Sequence, residues 1–330
     1  MKAPGIIFLS GVLAALGVAA LCVTLTRAPA NETPPVQRKP ARFRLGLIPE
    51  RNLFEQRQAF RALADYLETH ARVTRGKSTV EADPPLYVDL VTSSNYAGVL
   101  QDFAAGDVDG AFLGSLVTVL AVDRSGAQVL AKSENLEGHD TYCGEIFVRP
   151  DAPISSLADF DGKKLGAVRT TTAGVIYPFV VFDQLPAPVH PEFVWAGTHD
   201  DVIAAVADGR LDGGASKDLR IDAYEKSHPG TQFRRLSSGP RVPESAFVVR
   251  CTLAPEVRDA MLAALLNMDH DPDAKPVLAA LQLARFKSCD LREYAPLYDL
   301  IEQLGPRWSN TWIEGPAPRR PAWTTQKAGG

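Results

Sequence analysis

Downstream of position 41 the apolar residues of the chain alternate between two spacings. In Arg42-Phe-Arg-Leu-Gly-Leu-Ile48 they fall at every second residue, the period of a half-buried strand. The next stretch puts Phe60, Leu63, Ala64 and Leu67 on one face, the spacing of a core-facing helix, and residues 86–91 return to a strand pattern. A strand is expected at 246–249, then a helix with Val257, Met261, Leu265 and Leu266, another ending near Leu283, and a last one over 294–304. Such alternation predicts an α/β protein. Beyond Gly305 the run Gly315-Pro-Ala-Pro-Arg-Arg-Pro321 has no periodicity, which predicts a flexible or loosely docked extension.

The pattern also repeats itself. Asn95-Tyr96-Ala-Gly-Val99-Leu100-Gln-Asp-Phe103-Ala-Ala-Gly106-Asp-Val108-Asp109-Gly110 is echoed by Thr198-His199-Asp-Asp-Val202-Ile203-Ala-Ala-Val206-Ala-Asp-Gly209-Arg-Leu211-Asp212-Gly213. The apolar positions coincide, a glycine closes each helix, and an Asp-Gly pair leads into a strand. One strand-loop-helix-strand unit is therefore expected in each of two lobes. Tyr96 and His199 occupy matching places just inside the two helix starts.

Between the copies, Leu165-Gly-Ala-Val-Arg169-Thr170-Thr171-Thr172-Ala173-Gly174 reads as a buried strand that ends in three hydroxyl residues and opens a helix. A helix start has N–H groups without internal partners and the positive end of the macrodipole, so it suits an oxyanion. The plainer alternative is that Thr170, Thr171 and Thr172 only cap the helix. If the lobes face each other, Tyr96 and His199 converge with this loop. Arg169 either supplies a further charge or lies on the surface.

Composition narrows the classes. The 330 residues carry a formal net charge of -4 without a basic stripe, which argues against nucleic acid. No Walker-type phosphate loop, paired-carboxylate signature or zinc-ligand spacing is present, and His199-Asp200 is too common a dipeptide to make a catalytic triad. A non-enzyme without cofactor or metal is expected. Lys2, the apolar run over residues 5–25 and Arg27-Ala-Pro-Ala30 form an export signal, either cleaved after Ala30 or retained as an inner-membrane anchor. Of the cysteines beyond it, Cys251 and Cys289 are expected to form a disulfide, leaving Cys143 buried and free.

Several stretches in the same order resemble the extracytoplasmic solute-binding proteins of phosphonate, phosphite and phosphate ABC transporters. They are Gly46-Leu-Ile-Pro49-Glu50, Tyr96-Ala-Gly-Val99, Ala111-Phe-Leu-Gly114-Ser115, Val148-Arg-Pro-Asp-Ala-Pro-Ile154, Thr171-Thr172-Ala173-Gly174 and Gly197-Thr198-His199-Asp200. The resemblance implies the two-lobed periplasmic-binding fold, each lobe a mixed sheet flanked by helices, with a ligand cleft between them. It places the family's anion-binding turn on Thr171, Thr172, Ala173 and Gly174, its ligand-contacting histidine on His199 and its first-lobe tyrosine on Tyr96. The chain departs from the pattern at two points. Leu113, followed by Gly114 and Ser115, stands where phosphonate binders carry a tyrosine. Ser245, with Glu244 beside it, stands where the resemblance places a carboxylate that would hold an organic amine or a protonated anion, which argues against an aminoalkyl phosphonate.

The expected organisation is a signal or anchor at 1–30, a linker at 31–41, a first lobe over 42–142 and 249–305, a second lobe over 143–248 and an extension at 306–330. The hinge is expected where strands near residues 142–148 and 247–251 cross between lobes. The expected ligand-binding set is Tyr96, Ser115, Thr170, Thr171, Thr172, Ala173, His199 and Ser245. The function expected is that of a monomeric periplasmic receptor that carries a small oxyanion to an ABC transporter permease. The alternative is a sensory receptor that presents phosphate, arsenite or arsenate to a membrane histidine kinase.

Overall fold

The computed structural model describes residues 41–47, 53–71, 86–93 and 95–322. The export segment, the linker up to residue 40, the Ile48-Pro49-Glu50 motif, the Tyr96 side chain and residues 323–330 lie outside the described residues. Among the described residues no helix is long and apolar enough to cross a membrane.

The first half contains β1 (Ala41–Leu47), α1 (Leu53–His70), β2 (Leu86–Thr92), α2 (Tyr96–Ala105), β3 (Gly110–Leu113), α3 (Ser115–Ser125), β4 (Gln128–Asn135), β5 (Thr141–Tyr142) and β6 (Gly144–Val148). There follow β7 (Lys164–Val168), α4 (Tyr177–Asp183), β8 (Glu192–Ala196), α5 (His199–Ala207), β9 (Gly213–Lys217), α6 (Asp218–Ser227), β10 (Arg234–Ser238), β11 (Val242–Pro243) and β12 (Ala246–Val249). The chain ends with α7 (Pro255–Asn267), α8 (Lys275–Leu281), β13 (Leu283–Ser288) and α9 (Ala295–Leu304). The helix expected to reach Leu283 stops at Leu281, and the chain turns at once into an edge strand.

Two mixed sheets result, with strand orders β13-β4-β12-β3-β1-β2 and β10-β6-β9-β7-β8. In the first, β1 pairs in parallel with β2 and β3; in the second, β7 pairs in parallel with β8 and β9. Parallel neighbours need crossover connections, and helices supply them in both sheets. The fold is the expected two-lobed α/β arrangement.

The internal repeat is a structural duplication. Asp109 Oδ2 accepts from the Arg44 N–H of the adjacent strand at 2.8 Å, and Asp212 Oδ2 accepts from the Lys164 N–H at 2.8 Å. Gly106 and Gly209 close the two helices at φ +75° and +73°, a left-handed conformation that a Cβ disfavours. The same unit therefore aims α2 in one lobe and α5 in the other.

The chain crosses between sheets at a two-stranded ribbon, where Val242 pairs with Tyr142 and Pro243 with Thr141. The expected hinge ranges, 142–148 and 247–251, take in Tyr142 of this ribbon, while most of each range falls on β6 and β12, which are buried along their whole length and paired on both sides within their sheets. β12 also belongs entirely to the six-stranded sheet, so that sheet resumes before the boundary expected at 249.

Two further expectations are corrected. Cys143, Cys251 and Cys289 are all free. Cys251 follows β12 and Cys289 follows β13, and β4 lies between those strands. Two strand spacings, about 9.5 Å, exceed the reach of a disulfide. The segment after α9 is firmly docked over its described part. Trp308 is 5% exposed, Arg320 pairs with Asp299 and Glu302 of α9, and Trp312 packs against Phe179, Phe193 and Trp195 of the second lobe. Its apolar residues form discrete anchors with no helical or strand period, which is why periodicity missed them.

Candidate functional site

The first residues of three helices meet at a cavity of about 310 Å³ between the sheets. α3 begins at Ser115 after Gly114, which offers no side-chain cap. α5 begins at His199, capped by Thr198 in a reciprocal box with Asp201. The third is a π-helical turn, Thr172–Ile176, capped by Thr171 and running directly into α4. A helix start leaves its leading N–H groups without intrahelical acceptors, so the cavity is rich in donors before any side chain is counted.

Of the expected site residues, Ser115, Thr170, Thr171, Thr172, His199 and Ser245 line this cavity. Ala173 is fully buried in the π-helical turn and is not among the residues that line the cavity. The Tyr96 side chain lies outside the described residues, although Asn95 caps its helix by accepting from the Ala97 and Gly98 N–H groups.

The lining hydroxyls divide by partner. Thr171 Oγ1 donates to the Val168 carbonyl at 2.9 Å and accepts from the Gly174 N–H at 3.0 Å, so this threonine does cap its helix. Gly174 is required by close approach: a Cβ there would lie 2.5 Å from the Val168 oxygen and 2.7 Å from Thr171 Oγ1. Ser115 Oγ is committed to the Pro243 carbonyl at 2.6 Å and the Tyr142 hydroxyl at 3.0 Å. Thr172 differs. Its Oγ1 is buried beside the Tyr142 hydroxyl and makes no hydrogen bond of ordinary geometry among the described residues.

His199 is the second unsatisfied group. Nδ1 lies 3.1 Å from the fully buried Ser216 Oγ, while the buried Nε2 has no partner among the described residues. Burial pushes this imidazole down to about 3, helped by the positive charges of Lys217 and Arg220, so the ring is neutral across the physiological range. A buried polar atom without a partner is costly, and two of them on one cavity mark a place shaped for something else.

Among the lining residues outside the expected set are Lys217, Glu244, Tyr142 and Arg220. Lys217 Nζ donates to Glu244 Oε2 at 2.8 Å and sits 4.2 Å from the centre of the Tyr142 ring, and both ions are largely withdrawn from solvent, at 16% and 14% exposure. Arg220 pairs with Asp200. The duplication carried a signal for one of them: Lys217 stands at the helix-cap position equivalent to Gly114 of the first copy. Tyr142 and Glu244 come from the crossing ribbon and the residue after it; the resemblance drew attention to Glu244 only as the neighbour of Ser245.

Arg169 does not reach the lining: it is exposed and stacks on Trp195 at 4.4 Å and Trp312 at 5.7 Å. Cys143 is also absent from the lining, and burial together with Asp218 pushes its thiol up to about 12.

A family model described as "ABC transporter, phosphonate, periplasmic substrate-binding protein" matches residues 45–294. The phosphonates-binding periplasmic protein of Escherichia coli (strain K12) is 26% identical over 223 residues, 64% of this chain and 66% of its own length. The phosphate-import protein PhnD of Mycolicibacterium smegmatis is 30% identical over 194 residues, 53% of this chain and 59% of its own length. The chain thus covers less than two thirds of either relative. A binding protein component of an ABC phosphonate transporter from Pseudomonas aeruginosa shares the fold, with a TM-score of 0.67 at 19% identity over 84% of this chain and 91% of its own.

Proposed function

The chain belongs to the family of phosphonate ABC-transporter periplasmic substrate-binding proteins, and from that premise we propose that it binds a small phosphorus oxyanion between its lobes and delivers it to a membrane permease. The observation that carries the reading is the pair of buried, unpartnered atoms Thr172 Oγ1 and His199 Nε2 on a cavity where three helices begin. With the Ser216 hydroxyl donating to Nδ1, the ring proton sits on Nε2 and the neutral histidine is a donor. It joins the Thr172 hydroxyl, the leading N–H groups of Thr172 and Ala173, and the Lys217 ammonium. Tetrahedral oxyanions have the lone pairs to satisfy all of these.

Binding favours closure only through contacts that need both lobes at once. The threonine loop, His199 and Lys217 come from the five-stranded side, while the α3 start and Ser245 come from the six-stranded side. Rotation about the two-residue β5–β11 ribbon brings these sets together.

Titration calorimetry of the purified chain with phosphate, phosphite and methylphosphonate tests the reading. At least one should bind, and His199→Ala should weaken it tenfold or more, one charge-assisted hydrogen bond being worth about 1.5–3 kcal/mol. A folded wild-type chain that binds none of the three would end this assignment.

A further inference from the structure

Thr170 stands at φ +59°, a left-handed conformation that sterics disfavour for a β-branched residue. It is the first of the three threonines on the cavity wall, so its torsion sets the direction in which Thr171 and Thr172 leave β7. Backbone strain of this kind lasts only where the surroundings over-determine it. Within the loop, the Thr171 hydroxyl spans the strained residue by donating to the Val168 carbonyl at 2.9 Å. A second restraint comes from outside the loop.

The two flanks of the loop are gathered on one group of aromatic rings. The guanidinium of Arg169, immediately before Thr170, lies 4.4 Å from the centre of the Trp195 ring and 5.7 Å from that of Trp312. Phe179 of α4, into which the loop runs, lies 5.0 Å from Phe193 and 5.5 Å from Trp312 between ring centres. Phe193 and Trp195 stack on each other along β8, and Trp312 meets Phe179 and Trp195 edge-on. Of these rings, Trp312 is the one brought by the C-terminal segment. That segment is tied to the end of α3, where Arg124 donates to the Pro316 carbonyl at 3.2 Å and Asp123 accepts from the Arg319 N–H at 3.1 Å. Trp312 is not in the cavity lining, so any effect it has on a ligand passes through the loop.

We infer that Trp312 is a positioning residue for anion binding: by holding Arg169 and Phe179 it keeps the loop between them, Thr170 included, in the conformation whose donors line the cavity. The inference rests on the oxyanion reading and adds the C-terminal segment to the binding apparatus. A loop released from this hold spends less time in the competent conformation, and the apparent Kd rises by the inverse of that fraction.

Two readouts on the full chain test it. Without ligand, amide hydrogen exchange over residues 169–177 should become about tenfold faster in Trp312→Ala, with β9 and α5 unchanged. In calorimetry with phosphate, phosphite and methylphosphonate, the same variant should raise Kd about tenfold for whichever ion binds, while Trp312→Phe stays within about threefold of wild type. Asparagine tolerates the left-handed conformation, so in a Thr170→Asn background Trp312→Ala should cost less than about threefold. If Trp312→Ala does not fold, Arg169→Ala breaks the same group of contacts from the exposed side and its exchange gives the first readout. Unchanged exchange of the loop overturns the inference whether or not any ion binds. An unchanged Kd, or an equal loss in both Thr170 backgrounds, overturns it while leaving the oxyanion reading intact. Binding of none of the three ions by wild type removes the oxyanion reading and the inference together.

Discussion

Thr172→Val should stabilise the empty protein and weaken its ligand binding, two effects of opposite sign from one oxygen atom. The Thr172 hydroxyl is buried and unpartnered, and the residue is 2% exposed. An unsatisfied buried hydroxyl costs about 1–3 kcal/mol, and valine replaces it with a methyl of similar shape. The low end applies, because the Tyr142 hydroxyl lies near enough to offer partial compensation. A gain of about 1 kcal/mol raises Tm by roughly 2–4 °C in a chain of this size. In the complex the same change removes a charge-assisted hydrogen bond of about 1.5–3 kcal/mol and raises Kd about 10- to 100-fold. At a phosphate or methylphosphonate concentration 100 times the wild-type Kd, wild type gains about 2.7 kcal/mol. A variant with a 30-fold higher Kd gains about 0.9. The melting order therefore reverses: the variant melts higher without ligand and wild type melts higher with it. Thermal unfolding with and without ligand reads both effects. A variant that melts lower when empty, or whose order does not change on adding ligand, would refute the view that this hydroxyl is held in reserve.

Three further outcomes are expected. His199 is held neutral down to about 3, whereas the unfolded chain protonates it below about 6.5. The unfolded state therefore binds the extra proton, and stability falls as pH drops from 6.5 toward 3. His199→Gln should flatten that part of the pH profile in urea unfolding, and an unchanged profile would refute the burial argument. Trp312→Ala removes a half-exposed indole from Phe179, Phe193, Trp195 and Arg169, and should cost about 1–2 kcal/mol, or several degrees of Tm; an unaltered Tm would return the tail to a loosely docked extension. A thiol reagent should label Cys251 in the native protein and Cys143 only after unfolding, with Cys143, Cys251 and Cys289 all reacting in denaturant without reductant; a missing pair of thiols would restore the disulfide.

The fold was legible because its information is periodic. Alternation marked β1, the Phe60, Leu63, Ala64 and Leu67 face marked α1, and the repeated Asp-Gly units located the same construction in both lobes. Each of these signals lies within twenty residues or so and reports burial, which is what spacing encodes. Elements defined by a few isolated anchors were misread. β13 begins one residue after α8 ends, with no turn signature beyond Gln282 in a left-handed conformation. The docked tail depends on the buried Trp308 and on Trp312, whose ring partners Phe179 and Trp195 are far away in sequence.

The site was legible only where its chemistry is local. A run of three threonines before a helix announces donors, but it does not say which hydroxyl is spent on the backbone, and the structure divides them: Thr171 caps and Thr172 is left over. The charged half of the site is a product of topology. Tyr142, Lys217 and Glu244 lie on three separate segments and meet because β5 pairs with β11 where the chain passes between its sheets. That ribbon is two residues long, too short to carry a period. It brings Tyr142 and Glu244 to Lys217 all the same, while burial first, and Lys217 and Arg220 after it, keep His199 a neutral donor in the cleft. A protonated ring would bind any anion that fits. A neutral ring beside a lysine already paired to glutamate asks its ligand to match donors and acceptors in turn, which turns a charged hole into a selective one.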